Sequence, residues 1–239
     1  MKKQLEWYDS YWKERDTQLK SPWHWAARGI LETSCYVEGV HSTLEIGCGI
    51  RTPLRDFDFP CKVFMDISLE ALLKSQQVTR DDYFICAFAE KLPFKNAQFD
   101  LVLLLEVIEH FSYPNLAVRE MQRVLKKEGI LILSFPNYLN IPWLALRLLT
   151  DLLKKPGWMK RQPIDKIYFY PQVVSLLSKA GFELVKTVGS EYYPPIPYRL
   201  PKKLRFQFLK LSNQVDGFLV KLPRSHIFSF HPVLISKKR

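Results

Sequence analysis

The stretch Ser42–Arg51, STLEIGCGIR, constrains this chain more than any other. Thr43, Leu44 and Ile46 are strand-forming or core-type residues, and Gly47 and Gly49 then break the run. That order predicts a short buried strand feeding a sharp turn. Glycine at such positions lets backbone approach a ligand where a Cβ would collide, although an ordinary tight turn uses the same residues. In an open parallel sheet, ligands sit just past the carboxyl ends of the strands. Lys62–Asp66, KVFMD, is a second short apolar strand, and it ends in a carboxylate. Asp66 follows Gly47 by about 20 residues, where the second strand of a nucleotide-binding half places an acid for ribose hydroxyls. A dinucleotide fingerprint would need glycine where Thr52 stands. A ligand with ribose but no pyrophosphate fits better.

The rest of the chain alternates helical and strand patterns around this pocket. Leu5, Tyr8, Tyr11 and Trp12 recur at helical spacing and predict an N-terminal helix laid across the domain. Ser21-Pro22 then starts a helix over Trp23–Cys35. Pro53 and Pro60 leave room only for a short, irregular first crossover. Ser68–Gln77 predicts a helix with Leu69, Leu72 and Leu73 on one side, and Tyr83–Ala87 a third strand. Phe99–Leu105 is apolar except for Asp100, as suits a central strand covered on both faces. Pro114–Leu125 predicts a helix offering Leu116, Met121, Val124 and Leu125 for burial, ended by Lys126–Gly129. Ile130–Phe135, Phe182–Val188 and His226–Ile235 read as further strands, with a loop and helix at Tyr168–Gly181.

The segments LEIGCG, MDIS, AEKLPF, FDLVLLLEVIEH and MQRVLKKEGILILSFPN, in this order over residues 40–137, resemble the class I S-adenosylmethionine-dependent methyltransferases, and among them the methyltransferase-11-like branch. The resemblance implies an α/β, Rossmann-like sheet of seven mostly parallel strands with helices on both faces and the last strand antiparallel beside the fifth. It implies S-adenosylmethionine as cofactor. The family's glycine turn falls on Gly47 and Gly49, its ribose acid on Asp66, its adenine-side loop on Phe88 and Ala89, and its post-strand motif on Glu106–His110. Glu45 would orient the glycine turn, or serve as a structural acid, and Glu106 joins the cofactor-binding set. Two positions depart from the family: Arg51 stands where a small residue is usual, and Phe88 where an acid often contacts adenine. Phe88 or Phe94 can instead offer an aromatic face. Residues 1–40 would close the pocket over a core at 41–239 that carries lid insertions at 138–168 and 191–224.

Glu106, Glu109 and His110 would converge on one side of a helical turn, since they are three and four residues apart. Such a set can act as a general base at His110, bind a divalent metal, or support the pocket structurally. The reading adopted is His110 as catalytic base, with no metal site.

Charge and composition narrow the partners without choosing one. The formal net charge is +11, from 35 Lys and Arg against 24 Asp and Glu, which favours anionic surfaces: nucleic acid, acidic lipid or an anionic substrate. Cys35, Cys48, Cys61 and Cys86 form neither a CxxC pair nor a zinc spacing, as expected of buried free thiols in a reducing compartment. No apolar run reaches the roughly 18 residues of a membrane span, and no signal-peptide core is visible. The expectation is a cytoplasmic protein that touches a membrane from outside.

The two late insertions combine aromatics with basic residues. Trp143–Leu153 is strongly apolar and is followed by Lys154, Lys155, Lys160 and Arg161, a pattern suited to contact with an anionic membrane surface. A helical cover over the sheet would use the same residues. No zinc knuckle, RNP strand or GXXG loop appears, and LLEVIEH stands where base-directed amino-methylating enzymes carry NPPY or DPPY. The preferred function is therefore methyl transfer to oxygen of a small-molecule or lipid-linked acceptor. An RNA-directed methyltransferase is the alternative, and a binding or scaffold protein on the same fold is another.

Overall fold

Seven strands form one sheet in the order β3-β2-β1-β4-β5-β7-β6. They are β1 (Ser42–Ile46), β2 (Cys61–Asp66), β3 (Tyr83–Cys86), β4 (Phe99–Leu105), β5 (Leu125–Ser134), β6 (Phe182–Val188) and β7 (Val233–Lys238). The computed structural model describes residues 2–14, 38–50, 53–77, 82–152, 162–189, 192, 204, 207, 211, 214, 217–219 and 221–239. The expected helix at Trp23–Cys35, Arg51, Thr52 and much of both insertions lie outside them. All pairings from β3 through β5 are parallel, and β7 runs antiparallel between β5 and β6. Because β1 sits between β2 and β4, the strand order reverses there, which opens a crevice at the carboxyl ends.

Alternation along the strands divides the core into two layers. Leu44, Ile46, Val102, Leu104, Leu131 and Leu133 face the layer that buries Ala117, Val118, Met121 and Val124 of helix α3 (Pro114–Val124). Val173 and Leu177 of a later helix, α5 (Tyr170–Lys179), join them. Phe64, Leu101, Leu103, Ile132 and Ile235 face the opposite layer, with Leu54 and with Leu72 of helix α2 (Leu69–Gln76). Burying a side chain of this size stabilises by about 1.5–3 kcal/mol, so the central strands supply most of the driving force. The short crossover after β1 is a 3-10 turn at Pro53–Asp56, as its prolines require.

Several local expectations are corrected. Leu69, Leu73 and Leu116 are exposed, because the packed stripes of α2 and α3 run through Ala71, Leu72 and Ser75 and through Ala117, Val118, Met121 and Val124. Lys126–Gly129 does not end a helix, since Leu125 already pairs with Phe99 in β5. The left-handed residue there is Glu128, φ 64°. Gly129 serves close approach instead: a Cβ on it would lie 2.9 Å from the Lys126 carbonyl oxygen.

The last strand begins at Val233 rather than His226. Residues Ser225–Phe228 form a 3-10 turn, and Pro232 has no N–H to give a ladder. Cys35 lies outside the described residues; of the other cysteines, Cys48 is buried, Cys61 half-buried and Cys86 exposed, so among the described ones burial holds for Cys48 alone.

Asp100, the single acid within β4, is tied down at the opposite end of the sheet from the crevice. It accepts from Lys126 Nζ at 2.7 Å, Ser42 Oγ at 2.7 Å and Ser42 N at 2.9 Å. Burial opposes its charge, but these donors hold its pKa down at about 2.

Candidate active site

The glycine turn and Asp66 form one hydrogen-bonded unit. Gly47 N donates to the Met65 carbonyl at 2.7 Å, which fastens the turn to β2. Gly49 N donates to Asp66 Oδ2 at 2.9 Å, and Ser68 N donates to Asp66 Oδ1 at 2.9 Å. Ser68 also caps α2, its Oγ accepting from Ala71 N. The Asp66 carboxylate thus clamps the turn to the start of α2. Its pKa is raised by burial, against the opposing pull of these backbone donors. Backbone donors at Ser68, Gly49 and Ile67 bear on this carboxylate, which has about four lone-pair sites in all and so keeps acceptor capacity for a ligand hydroxyl.

Both glycines are left-handed, with φ 72° at Gly47 and 55° at Gly49. A Cβ on Gly47 would lie 2.5 Å from Val107 Cγ2, and one on Gly49 2.9 Å from Trp12 Cζ2. The expected close approach is therefore made by this chain's own side chains.

The crevice beside the turn is lined by Ile46, Gly47, Met65, Asp66, Ile67, Ala87, Phe88, Ala89, Glu90, Val107 and Phe111, with Gln4 reaching in from the N-terminal helix. Phe88 and Ala89 therefore lie in it. Phe94 packs edge-on against Phe99 at 4.9 Å instead. Glu45 lies one strand residue away but is buried, its pKa raised well above normal by burial and drawn back by Arg55. It is absent from the crevice lining.

Helix α1 (Lys2–Lys13) covers this region by specific contacts. Asp9 Oδ1 accepts from Ser68 Oγ at 2.6 Å, and Lys74 Nζ donates to the Trp12 carbonyl at 2.6 Å. Gln4 Nε2 donates to the His110 carbonyl at 2.7 Å, and Tyr8 OH bonds Gln162 Oε1. One helix therefore touches both the glycine turn and the segment after β4.

That segment does not form the helical turn that would gather Glu106, Glu109 and His110. Glu106 adopts φ 55°, and a 3-10 turn follows at Ile108–His110. The left-handed kink turns the Glu106 carboxylate onto other direct partners, though it stays near enough for its charge to act on Glu109 and His110. Its Oε1 accepts from Ser134 Oγ at 2.6 Å, and its Oε2 lies 2.8 Å from His231 Nδ1. Among the described residues no group of three His, Cys, Asp or Glu side chains is arranged to hold a metal.

Glu109 and His110 do meet. His110 Nδ1 is 2.8 Å from the Ile164 carbonyl oxygen, which only accepts, so Nδ1 carries the proton and Nε2 the lone pair. Nε2 lies 3.4 Å from Glu109 Oε1. Burial lowers the pKa of His110. Burial, then the nearby Glu106 charge, pushes that of Glu109 well up. Glu109 Oε2 is buried without a hydrogen-bond partner among the described residues. Gln4, Ser134, Ile164 and His231 carry no signal in a linear reading. Only the fold brings them to the end of β4.

The chain is similar to known proteins along most of its length. The family model described as a methyltransferase domain matches residues 44–133. An uncharacterised protein of Methanocaldococcus jannaschii is 30% identical over 233 residues, covering 90% of this chain and 89% of that one. A ubiquinone biosynthesis O-methyltransferase of Bartonella quintana is 31% identical over 109 residues, 44% of this chain and 43% of that one. Among solved structures, a chain from the complex of the Haloferax volcanii Trm112 methyltransferase activator with a methyltransferase superposes with TM-score 0.66 at 16% identity, covering 98% and 96% of the two chains. At that identity the likeness concerns the fold alone.

Proposed function

The chain belongs to the class I S-adenosylmethionine-dependent methyltransferase family, of the methyltransferase-11-like branch, and we propose that it methylates an oxygen of a small-molecule or lipid-linked acceptor with His110 as the proton-taking base. Its cofactor is S-adenosylmethionine, and the crevice residues fit that group. Asp66 lines the crevice as an acceptor for ribose hydroxyls, Gly47 brings backbone to its edge, and Ile67, Phe88 and Val107 offer apolar walls to a flat base. When bound, the cofactor supplies a methyl carbon already activated by sulfonium charge. What remains for the chain is to align the acceptor, exclude water and accept one proton.

The observation that carries the oxygen assignment is the orientation of His110. A hydroxyl must lose its proton on methylation. His110 Nε2 carries the lone pair because Nδ1 is committed to the Ile164 carbonyl. Burial keeps the ring neutral to below its usual pKa, so the base is in its working form at neutral pH. The Glu109 carboxyl, which burial favours in its protonated form, lies 3.4 Å from Nε2. Tyr8, stacked edge-on 6.3 Å from the His110 ring, closes the site from α1.

The test is a screen of hydroxylated small molecules, quinone precursors and lipid extracts with labelled methyl donor, followed by His110→Ala. The variant should lose about 10²–10⁴-fold in rate with donor affinity unchanged. The wild-type acid limb in kcat/KM should lie below the ordinary histidine value. Full activity in the variant would remove His110 from the chemistry, and methylated nitrogen in the product would overturn the oxygen assignment.

A further inference from the structure

Helix α4 (Ile141–Leu152) is inverted relative to a solvated surface helix. Its inward side carries charge: Arg147 bonds Asp165 at 2.5 Å, Asp151 at 3.2 Å and Tyr138 OH at 3.3 Å. Beside it Trp143 stacks on Phe230 at 3.8 Å. Its outward side carries Ile141, Leu148, Leu149 and Leu152, exposed to 75, 55, 51 and 79%. Ala145 is exposed between them. At 100° per residue these five positions fall on one stripe about 100° wide, the width that normally faces a core. Leu204, Leu211 and Phe218 are exposed as well.

We propose that the outward stripe of α4 docks this protein on an anionic lipid bilayer surface. A stripe of contiguous large apolar side chains marks a contact site rather than ordinary surface. At 12 residues the helix is about 18 Å long, short of the ~30 Å hydrocarbon core, so it lies in the interface plane. No helix among the described residues is long and apolar enough to cross a membrane.

Charge selects the partner. The chain carries +11, and Lys154, Lys155, Lys160 and Arg161 fall within the nine residues that follow α4 in the sequence. Apolar side chains flanked by basic residues match an acidic leaflet. A nucleic acid would use the basic residues without the leucines, and two copies of so basic a chain repel one another.

The test uses full-length protein and vesicles of phosphatidylcholine alone or with a minor fraction of phosphatidylglycerol. No methyl transfer is read, so its failure leaves the acceptor chemistry standing. Co-sedimentation should favour the mixed vesicles at low salt and fall as salt rises. Leu148→Gln with Leu149→Gln should weaken it about tenfold or more, with circular dichroism and melting midpoint unchanged. Lys154→Glu with Lys155→Glu should weaken it on the mixed vesicles. Absence of binding to either vesicle would overturn the proposal, as would binding indifferent to the leucine pair. So would a stable dimer in light scattering that the leucine variant converts to monomer.

Discussion

His231 Nδ1 lies 2.8 Å from Glu106 Oε2, joining the residue that follows β4 to the segment that enters β7. Both side chains are largely buried, and Ser134 Oγ holds the other carboxylate oxygen at 2.6 Å. The left-handed backbone at Glu106 is the strain that this arrangement holds in place. His231→Ala removes one partner of a buried pair, which costs about 3–5 kcal/mol. Urea unfolding should show that loss, and Glu106→Gln combined with His231→Ala should recover part of it, since no buried charge is then left behind. Strictly additive losses in the double variant would show that the two residues are not coupled.

Asp66 should govern donor affinity through the turn it clamps. Asp66→Ala orphans the amides of Gly49 and Ser68, each costing about 1–3 kcal/mol if left buried. Calorimetry with S-adenosylhomocysteine should show affinity weakened by roughly 5–150-fold. Asp66→Asn keeps one acceptor oxygen and should fall between the two. Undiminished affinity in a folded alanine variant would confine Asp66 to loop structure.

Gly49→Ala separates two costs. The left-handed φ of 55° penalises any side chain by about 1–2 kcal/mol, and the new Cβ also strikes Trp12. Adding Trp12→Ala should abolish the clash but not the backbone cost. In the Trp12→Ala background the glycine substitution should therefore destabilise less than in wild type. Equal costs in both backgrounds would mean that α1 yields freely at Trp12.

The pH dependence of stability should expose Glu109. Its folded pKa is raised by burial and by Glu106, so the folded state holds a proton that the unfolded chain has released. The stability this contributes is fully present below the unfolded carboxyl value and is lost as pH rises through the folded one. Glu109→Gln removes that titration. Its melting midpoint should decline less with rising pH than wild type and exceed it at neutral pH. Parallel curves would place the Glu109 carboxyl in water.

The segment from β1 to β5 was legible because each local signal there agrees with the fold. Gly47 and Gly49 sit where the turn needs left-handed backbone, and Ser68 caps α2 as its hydroxyl allows. Apolar runs end where the sheet ends. Lys126–Gly129 misled because a helix terminator and a bulged strand entry use the same residue types, and pairing with Phe99 decides between them. The active-site cluster was half legible. Glu106 and His110 announce themselves by spacing, but a helical reading gathers them, whereas a left-handed φ sends one to His231 and leaves the other with Glu109. Sequence by itself determined where most of the strands lie along the chain, the glycine turn and its acid, because these follow from patterns within a few residues; the antiparallel last strand came only from the family resemblance. Only the tertiary structure decided which polar groups meet, because His231, Ser134, Ile164 and Gln4 reach the end of β4 through sheet pairing and helix docking, and those contacts join residues far apart in the chain.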